Sequence, residues 1–570
     1  MTGFTFAIVT DTHVRAPEGD LSSPYPVNDR ANGRAQYAAA RIAAERPEFT
    51  IHLGDAVHPL PHMPAYKSAA AEAKRLLAPI PNLHVVPGNH DIGDKPSPGM
   101  PAKSLNSASR QLFCDAFGLD WQTFTHRGAR FVLINSSLVN SGLAEETEQR
   151  AWLQEVLQAT AGERVFLFSH YPPFICDPHE VDHYDNYAEP GRAWLLDLAS
   201  DNGVEAIFSG HVHHFFYNRY RGVKLFCLPP TSFIRQDYAE LFPVAPAPEF
   251  GRDDCGKYGF ALIDVGDNGF RLRWRNTEGR GETADAFERE PPTLPIIPHL
   301  RHAWFEPKSL PYNGPMEEFS RKRARNDYPL LRLLQLGMKT VRTPLSDLCD
   351  PVGRRRISDF IALGLKFVFF SIGVPDASAL AELHQIEQAV VGLEVLTVRT
   401  DLSDVDADLR DLIESLSMPV WLGKVTTSAD VPRENGVFAH AVSSGFLPSQ
   451  IDDVLAILGS MNPAGVVFQI PWGQSPSEHI PRLSARLGEQ GLDLVVNLRL
   501  AHSNPAIGNF DQKAIQETIR AAIEASRAAS NVVLQCDTFE SVDRGYSPRS
   551  GFVDRLGNLV RMDKSLRLVD

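Results

Sequence analysis

In the first 285 residues, short apolar segments alternate with Ala-rich amphipathic segments, and five of the apolar segments are followed by a small group of polar residues. This alternation is typical of β-strands joined by helices. Strands connected in this way deliver the residues that follow them to one edge of a sheet. The pattern therefore predicts that five polar groups meet at that edge: Asp11-Thr12-His13, Gly54-Asp55, Gly88-Asn89-His90-Asp91, His170 and Gly210-His211-Val212-His213.

The residue types in these groups indicate a metal site. Carboxylate and amide oxygens together with imidazole nitrogens suit two divalent ions such as Fe, Mn or Zn better than a thiolate site would. Glycines in the groups let the backbone turn sharply and approach the metals closely. The six cysteines lie far apart and form no CxxC pair, so a disulfide framework or a structural zinc site is not expected.

The order of the motifs, DxH, GD, GNHD, a single His and GHxH, resembles that of the calcineurin-like metallophosphoesterases. The resemblance covers about residues 4 to 275, and within the family it is greatest to the class III cyclic-nucleotide phosphodiesterase and glycerophosphodiesterase branch. It implies an α/β fold in which the first domain is a four-layer αββα sandwich. It also implies hydrolysis of a small phosphodiester.

Carried over position by position, the resemblance implies that Asp11, His13 and His213 hold one metal ion. It implies that the second ion is held by a different set and that one carboxylate bridges both ions. A water between the ions would become the hydroxide that attacks phosphorus. The second set is Asn89, His170 and His211, and the bridging carboxylate is that of Asp55.

Two further residues receive a catalytic role from the GNHD motif. By resemblance, His90 faces the substrate and stabilises the transition state or protonates the leaving oxygen. Asp91 is then interpreted as the residue that orients His90. A third segment, Cys176–Asn186, is rich in groups that could face the substrate or add an outer ligand, although such runs are more often solvated loops.

The character of the sequence changes after residue 285. Seven prolines between Glu290 and Pro315 predict an extended linker over residues 286–326, because proline removes backbone donors. The sequence from residue 327 to 570 contains eight strand candidates, most of them separated by amphipathic helices, and predicts a (β/α)8 barrel-like domain. A doubly wound open sheet is the alternative. The eight candidates are Leu330–Leu336, Lys366–Ser371, Leu393–Val398, Pro419–Lys424, Gly436–Val442, Gly465–Ile470, Asp493–Leu498 and Asn531–Gln535.

The role of this second domain stays open at the level of sequence. No pair of glutamates of the glycosidase type is evident among the residues at its predicted strand ends. The barrel could be a separate isomerase or lyase for an anionic metabolite, or it could serve only assembly or ligand sensing. The polar and basic residues at those ends are Lys339, Arg342, Arg399, Lys424, His440, Gln469, Asn497, Arg499, His502 and Asp537.

Charge and hydropathy restrict the partners. The formal net charge is −14 and there is no long basic stripe, which disfavours an extended nucleic-acid partner. No apolar run approaches the length of a membrane helix, and the N-terminal residues resemble no secretion signal, so we expect a cytoplasmic protein without a membrane partner. A small phosphodiester is the expected ligand, and a homo-oligomer is left open.

Overall fold

The structure is a computed structural model of the 570-residue chain. It describes residues 3–19, 26–96, 104–160, 162–235, 238, 254–281, 294–301, 304–310, 321–397, 406–426, 443–458, 461–500, 512–536, 538–541, 551–554 and 556–559. The chain divides into two compact units. The first comprises Met1–Glu290 and Pro307–Leu331, and the second comprises Pro291–Glu306 and Arg332–Asp570.

The strands are β1 (Phe4–Val9), β2 (Thr50–His52), β3 (Leu83–Val85), β4 (Gln122–His126), β5 (Ala129–Leu133), β6 (Arg164–Phe168), β7 (Val204–Ser209), β8 (Phe216–Tyr220), β9 (Val223–Cys227), β10 (Gly259–Gly266), β11 (Gly269–Asn276), β12 (Ile297–Pro298), β13 (Lys308–Ser309), β14 (Arg323–Ala324), β15 (Thr340–Pro344), β16 (Lys366–Ile372), β17 (Val390–Thr397), β18 (Val420–Thr426), β19 (Ser443–Ser444), β20 (Gly465–Ile470), β21 (Asp493–Leu498) and β22 (Val532–Cys536).

The α-helices are α1 (Ala31–Glu45), α2 (Tyr66–Leu77), α3 (Asn89–Ile92), α4 (Ser107–Phe117), α5 (Ala144–Gln158), α6 (Gly191–Asp201), α7 (Tyr328–Gln335), α8 (Leu345–Cys349), α9 (Pro351–Ala362), α10 (Ala377–Gln385), α11 (Asp406–Ser415), α12 (Ile451–Leu458), α13 (Pro476–Gly488) and α14 (Gln512–Arg527). Among the described residues, no helix is both long enough and apolar enough to cross a membrane.

The first unit contains two main sheets. One has the strand order β11-β10-β1-β2-β3 and the other has the order β4-β5-β6-β7-β9-β8. Strands β1, β2 and β3 are parallel to one another, as are β5, β6, β7 and β9. Rings from β1 and from β5 and β6 pack together: Phe6 lies 5.2 Å from Phe131 and 6.1 Å from Phe168, centroid to centroid. This packing holds the two sheets against each other and brings the ends of their parallel strands together.

The second unit is built on one sheet with the strand order β12-β22-β21-β20-β18-β17-β16-β15. Neighbouring strands in this order are parallel, and β19 runs antiparallel to its neighbour β18. The two-residue strand β12 pairs with β22, and the next residue, His299, forms a parallel bridge with Arg342 in β15. The result is a nearly closed, barrel-like sheet of parallel strands, as the sequence predicted, and not an open sheet.

Two elements of the second unit differ from the sequence prediction. The run Leu330–Leu336 was expected to be a strand, but it lies largely in helix α7, because a short apolar run without alternation fits either structure. The first long strand of the sheet is instead β15. Strand β12 comes from the segment that was expected to be a linker. The candidate Gly436–Val442 lies outside the described residues, and the other six candidates overlap β16, β17, β18, β20, β21 and β22.

Candidate metal centre

The five polar groups follow strands β1, β2, β3, β6 and β7, and five of their residues adopt an uncommon backbone conformation. Asp11, His13, Asp55, His211 and His213 have φ angles of 51°, 45°, 54°, 68° and 58°. Non-glycine residues rarely occupy this left-handed region, and those that do concentrate at functional sites. The chain therefore bends sharply at the points where it presents these carboxylates and imidazoles.

Two glycines allow the backbone to pass close to the carboxylates. A Cβ atom added at Gly88 would lie 2.2 Å from Oδ1 of Asp55. A Cβ atom added at Gly210 would lie 2.6 Å from Oδ2 of Asp11. Both distances are far below van der Waals contact, so the space beside each carboxylate excludes any side chain at these positions.

One group of facing side chains consists of Asp11, His13 and His213, all buried. Nε2 of His213 lies 3.2 Å from Oδ1 of Asp11, and Nε2 of His13 lies 3.9 Å from the same oxygen. The two Nε2 atoms are 3.1 Å apart. Two imidazole nitrogens and a carboxylate oxygen thus point at one small volume.

A second group consists of Asn89, His170 and His211, which are also buried. Oδ1 of Asn89 lies 3.0 Å from Nε2 of His170 and 3.0 Å from Nδ1 of His211. Asp55 lies between the two groups, with Oδ2 at 3.4 Å from Nε2 of His13 and Oδ1 at 3.4 Å from Nε2 of His170. Each oxygen of one carboxylate therefore faces a different group.

Backbone carbonyls orient two of the rings. Nδ1 of His170 lies 2.8 Å from the Leu53 carbonyl oxygen, and Nδ1 of His213 lies 2.6 Å from that of Phe233. Because a carbonyl only accepts, each Nδ1 carries a proton, and a neutral ring then presents the lone pair of its Nε2 to the centre. Imidazole nitrogens, amide oxygens and carboxylate oxygens that converge in this way are the donor set of a divalent cation, so the residues fit two such ions.

Burial and the neighbouring charges shift the pKa values at the centre in opposite directions. Burial acts to raise the pKa of Asp55, but His170 and His90 outweigh it and the pKa lies well below its usual range. Burial acts to lower the pKa of His170, but Asp55 outweighs it and raises the pKa to about 9. Burial lowers the pKa of His211 to about 3 and that of His13 well below its usual range. His13 and His211 are therefore neutral at pH 7, as metal ligands must be.

A family model matches the part of the chain that contains the five polar groups. Residues 4–215 match the family model described as calcineurin-like phosphoesterase. These residues form a calcineurin-like phosphoesterase domain. The match includes all five polar groups, and it confirms the resemblance seen in the motifs.

Curated relatives support the same assignment. The zebrafish (Danio rerio) protein named serine/threonine-protein phosphatase CPPED1 is 32% identical over 177 residues, which are 30% of this chain and 54% of that protein. The cattle (Bos taurus) protein of the same name is 30% identical over 190 residues, 32% of this chain and 58% of that protein. The chain thus spans about half the length of the curated relatives it matches.

A solved structure titled "GAP50 the anchor in the inner membrane complex of Plasmodium" is similar at a TM-score of 0.33 and 15% identity, covering 49% of this chain and 86% of that one.

Within the phosphoesterase domain, His90 is half-buried beside both groups. Its backbone N–H donates to Oδ1 of Asp55 at 2.8 Å, and its ring lies edge-on to that of His13 with centroids 4.7 Å apart. Its Nδ1 donates to the carbonyl oxygen of His58. Nε2 is then the nitrogen of His90 that is suited to proton transfer with a bound molecule.

The structure does not bring Asp91 against the imidazole of His90. Its buried carboxylate accepts three backbone N–H bonds, from Gly88 at 2.8 Å, Val57 at 3.1 Å and Ala56 at 3.2 Å. Asp91 thereby braces the loop after β2 against the loop after β3. Burial, with a smaller contribution from Asp55, raises the pKa of Asp91 to about 7. The position of the Nδ1 of His90 is instead set by the His58 carbonyl.

Several residues near the centre have no individual role predicted from the sequence. His58 lies with Nδ1 at 3.1 Å from Nδ1 of His13, and the hydroxyl of Tyr184 accepts from Nδ2 of Asn89 at 3.2 Å. Asp185 lies with Oδ1 at 3.5 Å from Nε2 of His211. The polar run Cys176–Asn186 signalled Tyr184 and Asp185, but nothing in the sequence pointed to Lys322, whose Nζ lies 2.5 Å from Oδ2 of Asp185.

The candidate residues of the second unit have a different environment. Arg342 donates to both carboxylate oxygens of Glu394 at 2.7–3.1 Å, and both residues are buried. Nδ2 of Asn497 donates to Oγ of Ser444 at 2.8 Å. Gln469, Lys424 and Arg499 are buried, whereas Lys339 is exposed. Four candidates lie outside the described residues: Arg399, His440, His502 and Asp537.

Proposed function

We propose that the phosphoesterase domain hydrolyses small phosphodiesters at a centre of two divalent metal ions. The observation that carries this proposal is the position of Asp55 between two groups of facing donors, with one carboxylate oxygen at 3.4 Å from a histidine of each group. The family match and the phosphatase relatives support an enzyme that hydrolyses phosphoesters.

The proposed ligands form two sets, one for each ion. Asp11, His13 and His213 would hold one ion, and Asp55 would contact both. Two divalent cations there, Fe, Mn or Zn by the chemistry of the donors, would polarise a water and offset charge on the phosphoryl oxygens. The donors to the second ion would be Asn89, His170 and His211.

His90 is the residue we assign to proton transfer. Its Nδ1 is held by the His58 carbonyl, so a protonated ring has Nε2–H to donate to the leaving oxygen. Its backbone N–H holds Asp55 at the same time, which ties the position of the ring to that of the carboxylate. Asp91 contributes indirectly, by keeping the loops that carry Asp55 and His90 together.

A phosphomonoester is the second candidate substrate. It is favoured by the name of the relatives, serine/threonine-protein phosphatase, which refers to a phosphorylated side chain in a protein. The phosphodiester is favoured by the motif resemblance to cyclic-nucleotide and glycerophosphodiesterases. The two differ in a measurable way, because only a diester has two ester bonds to the same phosphorus.

For the fold, we propose the four-layer αββα order in the first unit and a (β/α)8-type barrel in the second. The first is supported by helix residues that pack on the outer faces of the sheets, Ile42 and Leu77 against Val9, and Leu153 and Leu195 against Val165. The second is supported by the bridge between His299 and Arg342 beside β12.

The test uses the full chain loaded with Mn²⁺ and three substrates: bis(p-nitrophenyl) phosphate, p-nitrophenyl phosphate and a phosphoserine peptide. We expect the diester to be hydrolysed fastest, and Asn89→Ala to lower turnover by about 10²-fold or more. The matched control is Asn497→Ala in the second unit, which should leave turnover unchanged. Wild-type turnover by Asn89→Ala would refute the proposed centre. If the phosphoserine peptide is hydrolysed faster than the diester, the substrate is a phosphomonoester and not a phosphodiester.

A further inference from the structure

The histidines at the centre differ in what holds the nitrogen that faces away from it. His170 and His213 each use Nδ1 for this contact, and a backbone carbonyl accepts from it. His211 is turned the other way: its Nδ1 faces Asn89 at 3.0 Å and His170 at 3.2 Å. Its outward nitrogen, Nε2, is buried and makes no hydrogen bond to the residues that the structure describes, and the carboxylate oxygen that faces it, Oδ1 of Asp185, lies 3.5 Å away.

Asp185 is fully buried and is itself held on several sides. The hydroxyl of Tyr238 donates to its Oδ2 at 2.8 Å, and Nζ of Lys322 lies 2.5 Å from the same oxygen. Arg235 donates to Oδ1. A carboxylate fixed by three donors cannot swing away from the ring of His211, so it defines where that ring can lie.

Lys322 comes from a segment more than a hundred residues beyond the last of the five polar groups, and this segment is anchored to the first unit. The guanidinium of Arg325 donates to the Tyr217 carbonyl at 3.0 Å, and the Tyr217 N–H donates to Oδ2 of Asp327 at 2.9 Å. Arg325 and Asp327 also pair with each other at 2.7 Å. These contacts attach the segment to β8 and thereby fix the position of Lys322.

We propose that Asp185, held by Lys322, Arg235 and Tyr238, is a positioning residue that keeps the Nδ1 lone pair of His211 directed at the metal centre. The segment 321–327 thereby completes a site whose ligands all lie within residues 11–213. This inference rests on the proposed function, because it assigns His211 to a metal ion.

The expected effect follows from the chemistry of a ligating imidazole. A partner on the outer nitrogen fixes both the tautomer and the ring orientation, and its loss typically costs 10–100-fold in metal affinity. Only the ion that His211 would bind should be affected. The ion assigned to Asp11, His13 and His213 depends on other partners.

The experiment titrates the metal-free full chain with Mn²⁺ by calorimetry and compares the wild type with five variants. Asn89→Ala identifies the Mn²⁺ equivalent that belongs to the Asn89, His170 and His211 group. Lys322→Met and Asp185→Asn should weaken that equivalent about tenfold or more and leave the other within threefold, whereas Lys322→Arg should restore it. The control is Lys257→Met, which removes another fully buried lysine, paired with Asp254 at 3.6 Å, and should change neither equivalent.

The outcomes separate this inference from the proposed function. Lys322→Met and Asp185→Asn that bind both Mn²⁺ equivalents like the wild type, or weaken both equally, overturn the positioning role. Unfolding temperatures of the metal-free variants show whether a change in affinity reflects general loss of structure, which would affect Lys257→Met to the same degree. A wild type that binds two Mn²⁺ with the expected dependence on Lys322 but hydrolyses no phosphoester would refute the proposed activity alone. A wild type that binds fewer than two would refute the metal centre and this inference with it.

Discussion

Both units bury polar side chains on parallel strands or directly after them, but they balance charge in different ways. In the second unit, the guanidinium of Arg342 fills the space beside Glu394 and donates to both of its oxygens. In the phosphoesterase domain, the carboxylate of Asp55 faces imidazole nitrogens at 3.4 Å on two sides. One arrangement contains its own cation, and we propose that the other binds cations from solution. The types of donor, more than the presence of polar residues at strand ends, distinguish a metal centre from a structural ion pair.

The largest expected effect is at Asp55. Because Asp55 would contact both ions, Asp55→Ala should lower turnover of bis(p-nitrophenyl) phosphate by about 10³-fold. The corresponding change in the second unit, Glu394→Ala, should leave turnover per folded molecule within twofold. Circular dichroism checks that each variant is folded. If Glu394→Ala abolished turnover and Asp55→Ala did not, the contrast between the units would be reversed.

Removal of the positive charge of Arg342 in the second unit should lower the stability of the protein. Arg342→Met leaves Glu394 buried without its partner and should lower the free energy of unfolding by about 3–5 kcal/mol. The double variant Arg342→Met/Glu394→Leu removes both charges and should regain most of this loss. Urea unfolding of the full chain, followed by tryptophan fluorescence, measures both. No recovery in the double variant would argue that the pair has a role beyond structure.

His90 offers a test inside the phosphoesterase domain that separates proton transfer from metal binding. His90→Gln removes the proton donor but places no new charge beside Asp55, so kcat should fall about 10²-fold. The dissociation constants for Mn²⁺ should stay within about threefold of the wild type, because His90 is not among the assigned ligands. A variant that loses Mn²⁺ and turnover together would show that His90 is a ligand instead.

A smaller effect is expected on proton release during metal binding, which should depend on pH. The pKa of His170 in the metal-free protein is raised to about 9, above the ordinary 6.5, because Asp55 outweighs the effect of burial. The stability contributed by this proton is present below pH 6.5 and is lost as the pH rises through 9. A metal ion needs the neutral ring, so binding at pH 7.5 should release about one proton from His170.

Calorimetry in two buffers with different ionisation enthalpies measures this release. The release should disappear at pH 10, where the ring is already neutral. Equal heats in both buffers at pH 7.5 would contradict the shifted pKa of His170.

Much of the site could be predicted from the sequence because its signals are local. A strand followed within a few residues by Asp55, His170 or His211 is visible as an apolar run with a polar end. The structure places all seven predicted ligands within two adjoining groups. Strands β20 and β21 have the predicted bounds, because their runs are bordered by turn residues.

The features that the sequence did not predict depend on contacts between distant parts of the chain. Lys322 meets Asp185 across 137 positions, and no local pattern marks either as a partner of the other. Strand β12 lies at the edge of the nearly closed, barrel-like sheet and has only two residues, too few to show alternation. Asp91 was assigned to His90 because the two are adjacent in sequence, yet its carboxylate turns toward the backbone of Ala56 and Val57.

We propose that the phosphoesterase domain binds two divalent ions between Asp11 and His211. The most direct measurement is a crystal structure of the full chain loaded with Mn²⁺, with anomalous diffraction recorded at the manganese edge. We expect two anomalous peaks about 3.5–4 Å apart, one on each side of the Asp55 carboxylate. A single peak, or peaks away from Asp55, would contradict it.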